Sequence, residues 1–334
     1  KKKTYNEGID LALFRNRLEF TAEWYKNTSE DLLYAVPVPE QAGVSNTTVT
    51  MNAASMNNSG FEFSATYRNR DHDFKYEVSA NLSTLRNRVT SLGFGTDSYI
   101  SGSYITKVGE EIGQFYGWVY EGIARTQEVL DNHATQEGAQ IGDCLYKDVN
   151  NDGKITDDDR EILGDNSPDF TYGFSTNISY KGVSLSASFS GVQGAQVISF
   201  QNYYLLNMEG TCNQFALAAD RYNSVTNPDP AMYRANIATT NKNTYGVSSY
   251  MINDASYFRC TNITLNYNLP QKWVEKIKLR GVSLFASVDN AFTITDYIGY
   301  NPDVSYKSGN LMPGFDWGTY PLSRAYNFGC KLSF

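Results

Sequence analysis

No run of about eighteen apolar residues occurs in the 334-residue sequence, so it encodes no membrane-spanning helix. Proline is scarce, with 9 residues, and only two histidines are present, His72 and His133. The four cysteines, Cys144, Cys212, Cys260 and Cys330, lie far apart with no C-x-x-C spacing, which argues against a zinc or thioredoxin-like site. Cys144 and Cys212 fall in irregular stretches and are candidates for a bridge, while Cys330 shares the apolar face of the last strand. Basic charge is also in short supply: the net charge of −8 lacks the footprint that a nucleic-acid partner needs. The motifs of serine hydrolases, P-loop enzymes and zinc peptidases are missing, so no enzyme is expected. No apolar leader segment follows Lys1-Lys2-Lys3, and the chain is expected to be a processed product or a piece of a longer protein.

Aromatic residues are plentiful, with 25 tyrosines and 18 phenylalanines. They fall into alternating segments. Leu18, Phe20, Ala22 and Trp24 alternate with Glu19, Thr21 and Glu23, and Phe61, Phe63, Ala65 and Tyr67 with Glu62, Ser64 and Thr66. Phe74–Ser83, Tyr172–Tyr180, Val183–Ser190, Asn262–Leu269, Val282–Val288 and Tyr326–Phe334 repeat the pattern. Period two is the side-chain period of a strand with one apolar and one polar face. The last segment ends on Phe334, an aromatic edge that a soluble sheet would leave open to aggregation and a closed barrel would pair. The eight strands are joined by short and long connections in turn. The long ones run about 27–56, 88–169, 192–255 and 293–321. Short turns on one side and long loops on the other belong to outer-membrane β-barrels. The polar face carries Arg17, Glu19, Glu23, Glu62, Arg68, Lys75 and Glu77, a charge load suited to a wide or plugged lumen rather than a small barrel packed with side chains.

Within the first large loop, Asp148-Val149-Asn150-Asn151-Asp152-Gly153-Lys154-Ile155-Thr156-Asp157-Asp158-Asp159 has the spacing of an EF-hand-like calcium loop. Asp148, Asn150, Asp152 and Asp159 offer side-chain oxygens, Lys154 offers its carbonyl, and Gly153 allows the sharp turn. Asp159 stands where glutamate is usual. A structural calcium ion that staples the loop is the expectation.

An ordered set of short motifs resembles the SusC/RagA-like TonB-dependent transporters. The set is Asn57-Asn58-Ser59-Gly60-Phe61-Glu62, Gly113-Gln114-Phe115-Tyr116-Gly117-Trp118, Glu121-Gly122-Ile123, the calcium-like loop, Gly164 with Pro168 and Tyr172-Gly173, Phe258-Arg259, Leu269-Pro270, Asp289-Asn290-Ala291-Phe292 and the closing strand. It spans the chain. The resemblance implies an all-β fold: the C-terminal eight or so strands of a roughly 22-stranded, plugged transmembrane antiparallel β-barrel, with the plug domain not on this chain. It implies a place in the bacterial outer membrane and TonB-driven import of oligosaccharides or peptides. The implied partners are a SusD-like lipoprotein lid, the TonB complex through the missing N-terminal part, outer-membrane lipid, and a second transporter–lid pair in a dimer. Loop aromatics Tyr116, Trp118, Tyr203, Tyr204 and Trp317 are candidates for stacking on substrate. The alternatives are a soluble, calcium-stapled carbohydrate-binding β-domain and a passive porin.

Overall fold

A computed structural model describes residues 1–37, 48–93, 95–199, 204–208, 213–236, 243, 247–304 and 311–334. In chain order the strands begin β1 (Lys2–Leu13), β2 (Leu18–Pro37), β3 (Thr48–Asn69), β4 (Phe74–Ser83) and β5 (Arg86–Ser91). The first large loop contains β6 (Ser98–Ser101), β7 (Tyr104–Lys107), β8 (Gln114–Gly117), β9 (Tyr120–Ile123), helix α1 (Gln127–Asn132), β10 (Cys144–Tyr146) and β11 (Glu161–Gly164). Then come β12 (Phe170–Tyr180), β13 (Val183–Gln193), β14 (Gln196–Ser199), β15 (Ile252–Asp254) and β16 (Tyr257–Asn268). Helix α2 (Gln271–Val274), β17 (Gly281–Thr295), β18 (Phe315–Asp316) and β19 (Ala325–Ser333) complete the chain.

The main sheet is antiparallel, in the order β1-β2-β3-β4-β12-β13-β16-β17-β19, with β5 continuing beside β3. Among the described residues β1 and β19 each pair on one side only, so the sheet is an open arc of wall. Ten strands build it, nine along its path and β5 beside β3, where the sequence pattern suggested eight across the wall. The added one is β1, whose Ile9, Leu11 and Leu13 pair with Ala22, Phe20 and Leu18. The loop expected over about 27–56 is also corrected. β2 runs to Pro37 and β3 begins at Thr48, paired through Pro37↔Thr48. Main-chain hydrogen bonds carry this hairpin through its polar stretch, with register shifts between Ser29 and Leu33. Proline is tolerated because Pro37 is the end residue of β2.

The apolar side of the wall is left open among the described residues. Phe63 and Leu265 stay more than a third exposed, and Phe20 and Phe189 are only half-buried. Among the described residues no second sheet covers the apolar face, which argues against the sandwich expected of a soluble β-domain. That face shows the order of a bilayer. Near the short turns, Tyr67 stacks on Tyr76 at 5.8 Å, and Phe74 lies 5.9 Å from Tyr76. Near the long loops, Tyr172, Phe258 and Phe189 form a stack at 6.2 and 5.4 Å, with Phe174 and Phe292 against it. Between the two bands lie Ala65, Ala80, Thr176, Ala187, Ile263 and Ala286, mostly small or aliphatic. Two aromatic girdles around an aliphatic band mark a lipid-facing barrel surface. The opposite face is polar: Arg68 pairs with Glu19 at 2.6 Å and with Glu77 at 3.1 Å, and Thr66 meets Ser79 at 2.9 Å.

Bulges keep the faces in phase. At Cys260–Asn262 the register shifts against both β13 and β17, so Phe258 stays with the girdle while Asn262 turns inward to Asp289. Asn290, at φ +50°, supplies the matching irregularity on β17.

Candidate functional site

Buried side chains concentrate where the long loops meet. Tyr104, Phe115, Ile198, Val247, Met251 and Phe315 form one cluster, drawn from all three large connections. Trp118, Ile123, Cys144, Tyr146, Ile155, Leu206, Met232 and Tyr233 form a second. The stretch 88–169, irregular in the sequence pattern, is thus a folded assembly of short sheets. It is joined to β14, β15 and β18 through its apolar residues.

A buried polar network ties this assembly together. The Asp143 carboxylate, fully buried, accepts from the Arg234 guanidinium at 2.6 and 3.1 Å, from the Asn243 side-chain amide at 2.9 Å and from the Gln140 backbone at 2.8 Å. Asn243 also accepts from the Cys144 backbone at 2.6 Å and, on its carbonyl, from the Tyr146 hydroxyl at 3.2 Å. Burial pushes the Tyr146 hydroxyl well above the ordinary tyrosine range and the Tyr120 hydroxyl up to about 12, so both are neutral hydrogen-bonding groups. Cys144 is buried in β10, and Cys212 lies outside the described residues, so their pairing is not defined.

The candidate aromatics separate into two groups. Trp118 is buried, and its indole N–H donates to the Thr156 carbonyl at 2.8 Å. Tyr116 is half-buried, and the Arg160 guanidinium lies over both rings at 5.0 and 5.5 Å. Trp118 is therefore a packing residue rather than a free stacking surface, a correction that follows from its place in the second cluster. Tyr203 lies outside the described residues. Tyr204 and Trp317 come together from different loops, ring to ring at 5.7 Å and near-perpendicular, with 41% and 45% of their surface exposed. Phe315 stacks beneath Trp317 at 5.7 Å. The turn that presents Trp317 is held by buried Asp316, whose carboxylate accepts from the Tyr297 hydroxyl and from the amides of Gly318 at 2.8 Å and Thr319 at 3.0 Å. Nothing in the spacing of Tyr297, Asp316 and Trp317 announced this support. Such an exposed, rigidly backed aromatic pair can stack on a sugar face or grip an apolar side chain.

The calcium-like loop has the expected turn. Gly153 sits at φ +81°, and the Asp148 carboxylate accepts from the amides of Asp152 at 3.2 Å and Gly153 at 2.9 Å. Asn150 and Asp152 accept from the amides two residues on, at 2.9 and 2.8 Å. Asp159 is fully buried and binds the two ends of the loop, accepting from Val149 at 3.0 Å and Thr156 at 2.7 Å. Burial raises its carboxyl, but the amide hydrogen bonds from Thr156, Asn150 and Val149 outweigh this and leave it below the ordinary range. Among the described residues no three acidic, histidine or cysteine side chains stand together as a ready-made cation cage. The hard oxygen donors suit calcium in kind. In this arrangement backbone amides occupy them.

At the foot of the loop assembly a cavity of about 650 Å³ is lined by Trp24, Arg86, Glu111, Asp165, Ser167 and Asp169. Burial raises the carboxyls of Glu111 and Asp165 above their ordinary values.

No family model matches the chain. Curated relatives do. TonB-dependent receptor P3 of Formosa agariphila is 33% identical over 349 residues, covering 99% of this chain and 34% of the receptor. TonB-dependent receptor SusC of Bacteroides thetaiotaomicron is 26% identical and is matched by 100% of the chain over 32% of its own length. Among solved structures, the RagAB peptide transporter superposes with a TM-score of 0.78 at 24% identity, over 100% of this chain and 35% of that one. The open-open state of the RagAB peptide importer gives 0.81. The chain spans about a third of the length of each relative it matches. A one-third share agrees with an arc of wall whose two edges find no partner within the described chain, and with this sequence and fold the chain belongs to the SusC/RagA-like TonB-dependent receptors as a portion of their transmembrane barrel.

Proposed function

We propose that the chain supplies part of the barrel wall and the outward loops of a TonB-dependent importer in the bacterial outer membrane. Oligosaccharides or peptides are the proposed cargo, a SusD-like lipoprotein the lid over the loop assembly, and the TonB complex the energy source through segments outside this chain. The double-girdled wall carries the membrane part of this reading. The exposed Tyr204–Trp317 pair supports a cargo contact at the loop end. The relatives' shared description as TonB-dependent favours a driven importer over a passive pore.

We also assign calcium to the Asp148–Asp159 loop, held by Asp148, Asn150, Asp152 and the Lys154 carbonyl, with Asp159 closing the loop. The ion would hold the turn rigid and would take no part in moving cargo.

The test uses the full-length protein with its lipoprotein partner, titrated with oligosaccharide mixtures and with peptide mixtures. Replacing Tyr204 and Trp317 together by alanine should weaken the preferred cargo class about tenfold, the loss of roughly one aromatic contact. Unchanged affinity for both classes would remove the pair from the cargo path. Recovery of the protein outside the outer-membrane fraction would remove the importer reading itself.

A further inference from the structure

The connection between β16 and β17 differs from the other short turns. The β1–β2, β3–β4 and β12–β13 turns occupy only residues 14–17, 70–73 and 181–182, whereas this one is a helical segment. α2 and a following 3-10 turn at Glu275–Ile277 carry the chain through Gln271–Ile277, and Lys278 at φ +59° ends it. Within it Val274 is buried at 1% exposure, while Trp273 and Ile277 are 59% and 58% exposed. Residues four apart lie on one side of a helical turn, so Trp273 and Ile277 make a single apolar knob.

The position of the segment relative to the wall can be read from β17. Leu284, Ala286 and Val288 belong to its lipid-facing side and pair with Leu265 and Ile263 of β16 and with Cys330, Phe328 and Tyr326 of β19. Leu284 is 46% exposed, yet Val282, next on the same side, is buried, and α2 packs against β17. The helical segment thus lies over the outer surface of the wall at its short-turn rim. The apolar knob stands at the same short-turn rim as Tyr67, Phe74 and Tyr76, with β12 and β13 between them along the sheet.

Charge surrounds the knob. Lys272, Lys276, Lys278 and Arg280 are all exposed, against the single acid Glu275. None of the four has an ion-pair partner among the described residues. On a chain with a net charge of −8, this is a local reversal of sign. A tryptophan and an aliphatic side chain ringed by lysine and arginine is the composition of a segment that lies in a bilayer interface and attracts anionic headgroups.

We propose that Gln271–Arg280 is a binding site for anionic phospholipid. Trp273 and Ile277 would enter the boundary between headgroup and acyl chain, and Lys272, Lys276, Lys278 and Arg280 would take the phosphate of an acidic lipid. Two observations commit the site to lipid rather than to a protein partner: its place over the lipid-facing side of β17 at the short-turn rim, and cations that match a headgroup layer.

The experiment takes the full-length protein into nanodiscs of phosphatidylcholine containing about 25% phosphatidylglycerol, where a cationic segment gains from surface charge. Lipids retained after extraction are counted by native mass spectrometry. Changing Lys272, Lys276, Lys278 and Arg280 together to glutamine should cut retained phosphatidylglycerol several-fold and leave phosphatidylcholine unchanged. The same change at Lys107, exposed on the loop side, should have no effect. Because a multiple variant can disturb folding, Trp273→Phe is compared with the native protein by fluorescence. The difference signal should be quenched by lipids brominated near the headgroup and not by those brominated deep in the chain. Equal retention of phosphatidylglycerol in the glutamine variant, or a Trp273 signal indifferent to shallow bromine, would overturn the proposal. Loss of a bound periplasmic protein with lipid retention unchanged would overturn it in favour of a protein partner.

Discussion

Single residues show how closely the wall and its loops are fitted. A Cβ built on Gly60 would stand 1.9 Å from the Thr84 carbonyl oxygen and 2.7 Å from the Tyr25 hydroxyl, because β4 hands over to β5 across this point. Backbone cannot yield as a flexible side chain can, so Gly60→Ala should destabilise the fold by ~1–3 kcal/mol. Gly281→Ala, whose Cβ would meet Ser333 at an ordinary 3.6 Å, should be tolerated. Heat-modifiable electrophoresis of the full-length barrel reads both, and an unshifted transition for Gly60→Ala would refute the steric argument. In the loops, Arg234→Met strips the buried Asp143 carboxylate of its guanidinium. Breaking a buried pair by one partner costs roughly 3–5 kcal/mol, and the partial exposure of Arg234 places this one at the lower end. New proteolytic cuts near residues 220–236 are the expected sign. Sequence gave no means to see this pair, since 91 residues separate its members.

At the scale of elements, the strands of the wall were readable because lipid and water impose opposite demands on alternate residues. The limits of that reading are as physical as its reach. The β2–β3 hairpin extends beyond the apolar band, where main-chain bonding replaces side-chain patterning, so polar Asn27, Thr28 and Ser29 looked like loop. The short strands β6 to β11 are two to four residues long in their pairings, too brief for periodicity to register. Of the proposed site, the calcium-like turn was legible from spacing alone, whereas the Tyr204–Trp317 contact was legible only as residue types. Two outcomes test the Asp148–Asp159 loop. Chelation should release bound calcium and expose the loop to proteolysis while the barrel stays folded; no metal and no change in cutting would end the assignment. Acid gives the second. A carboxyl held below its ordinary 3.8 contributes stability above that pH and loses it as the pH falls through the lower folded value. Pepsin should therefore cut the loop only under strongly acidic conditions, and Asp159→Asn should remove that threshold.

The whole molecule is built on two kinds of packing. The wall leaves an apolar face bare along its length, and detergent or lipid is needed to cover it. A monodisperse preparation of the full-length protein in plain buffer would contradict the barrel surface described for β2 to β19. Above the wall, the cluster of Tyr104, Phe115, Ile198, Val247, Met251 and Phe315 is a soluble-type core assembled from three separate connections. The loops are therefore not independent variables. Exchanging any one of them with a relative's would leave unmatched apolar partners in the other two, and the exchanged protein would lose the seat on which Trp317 rests. A chimera that acquires a relative's cargo preference must transplant all three connections as one graft, leaving the strands beneath as a common rootstock.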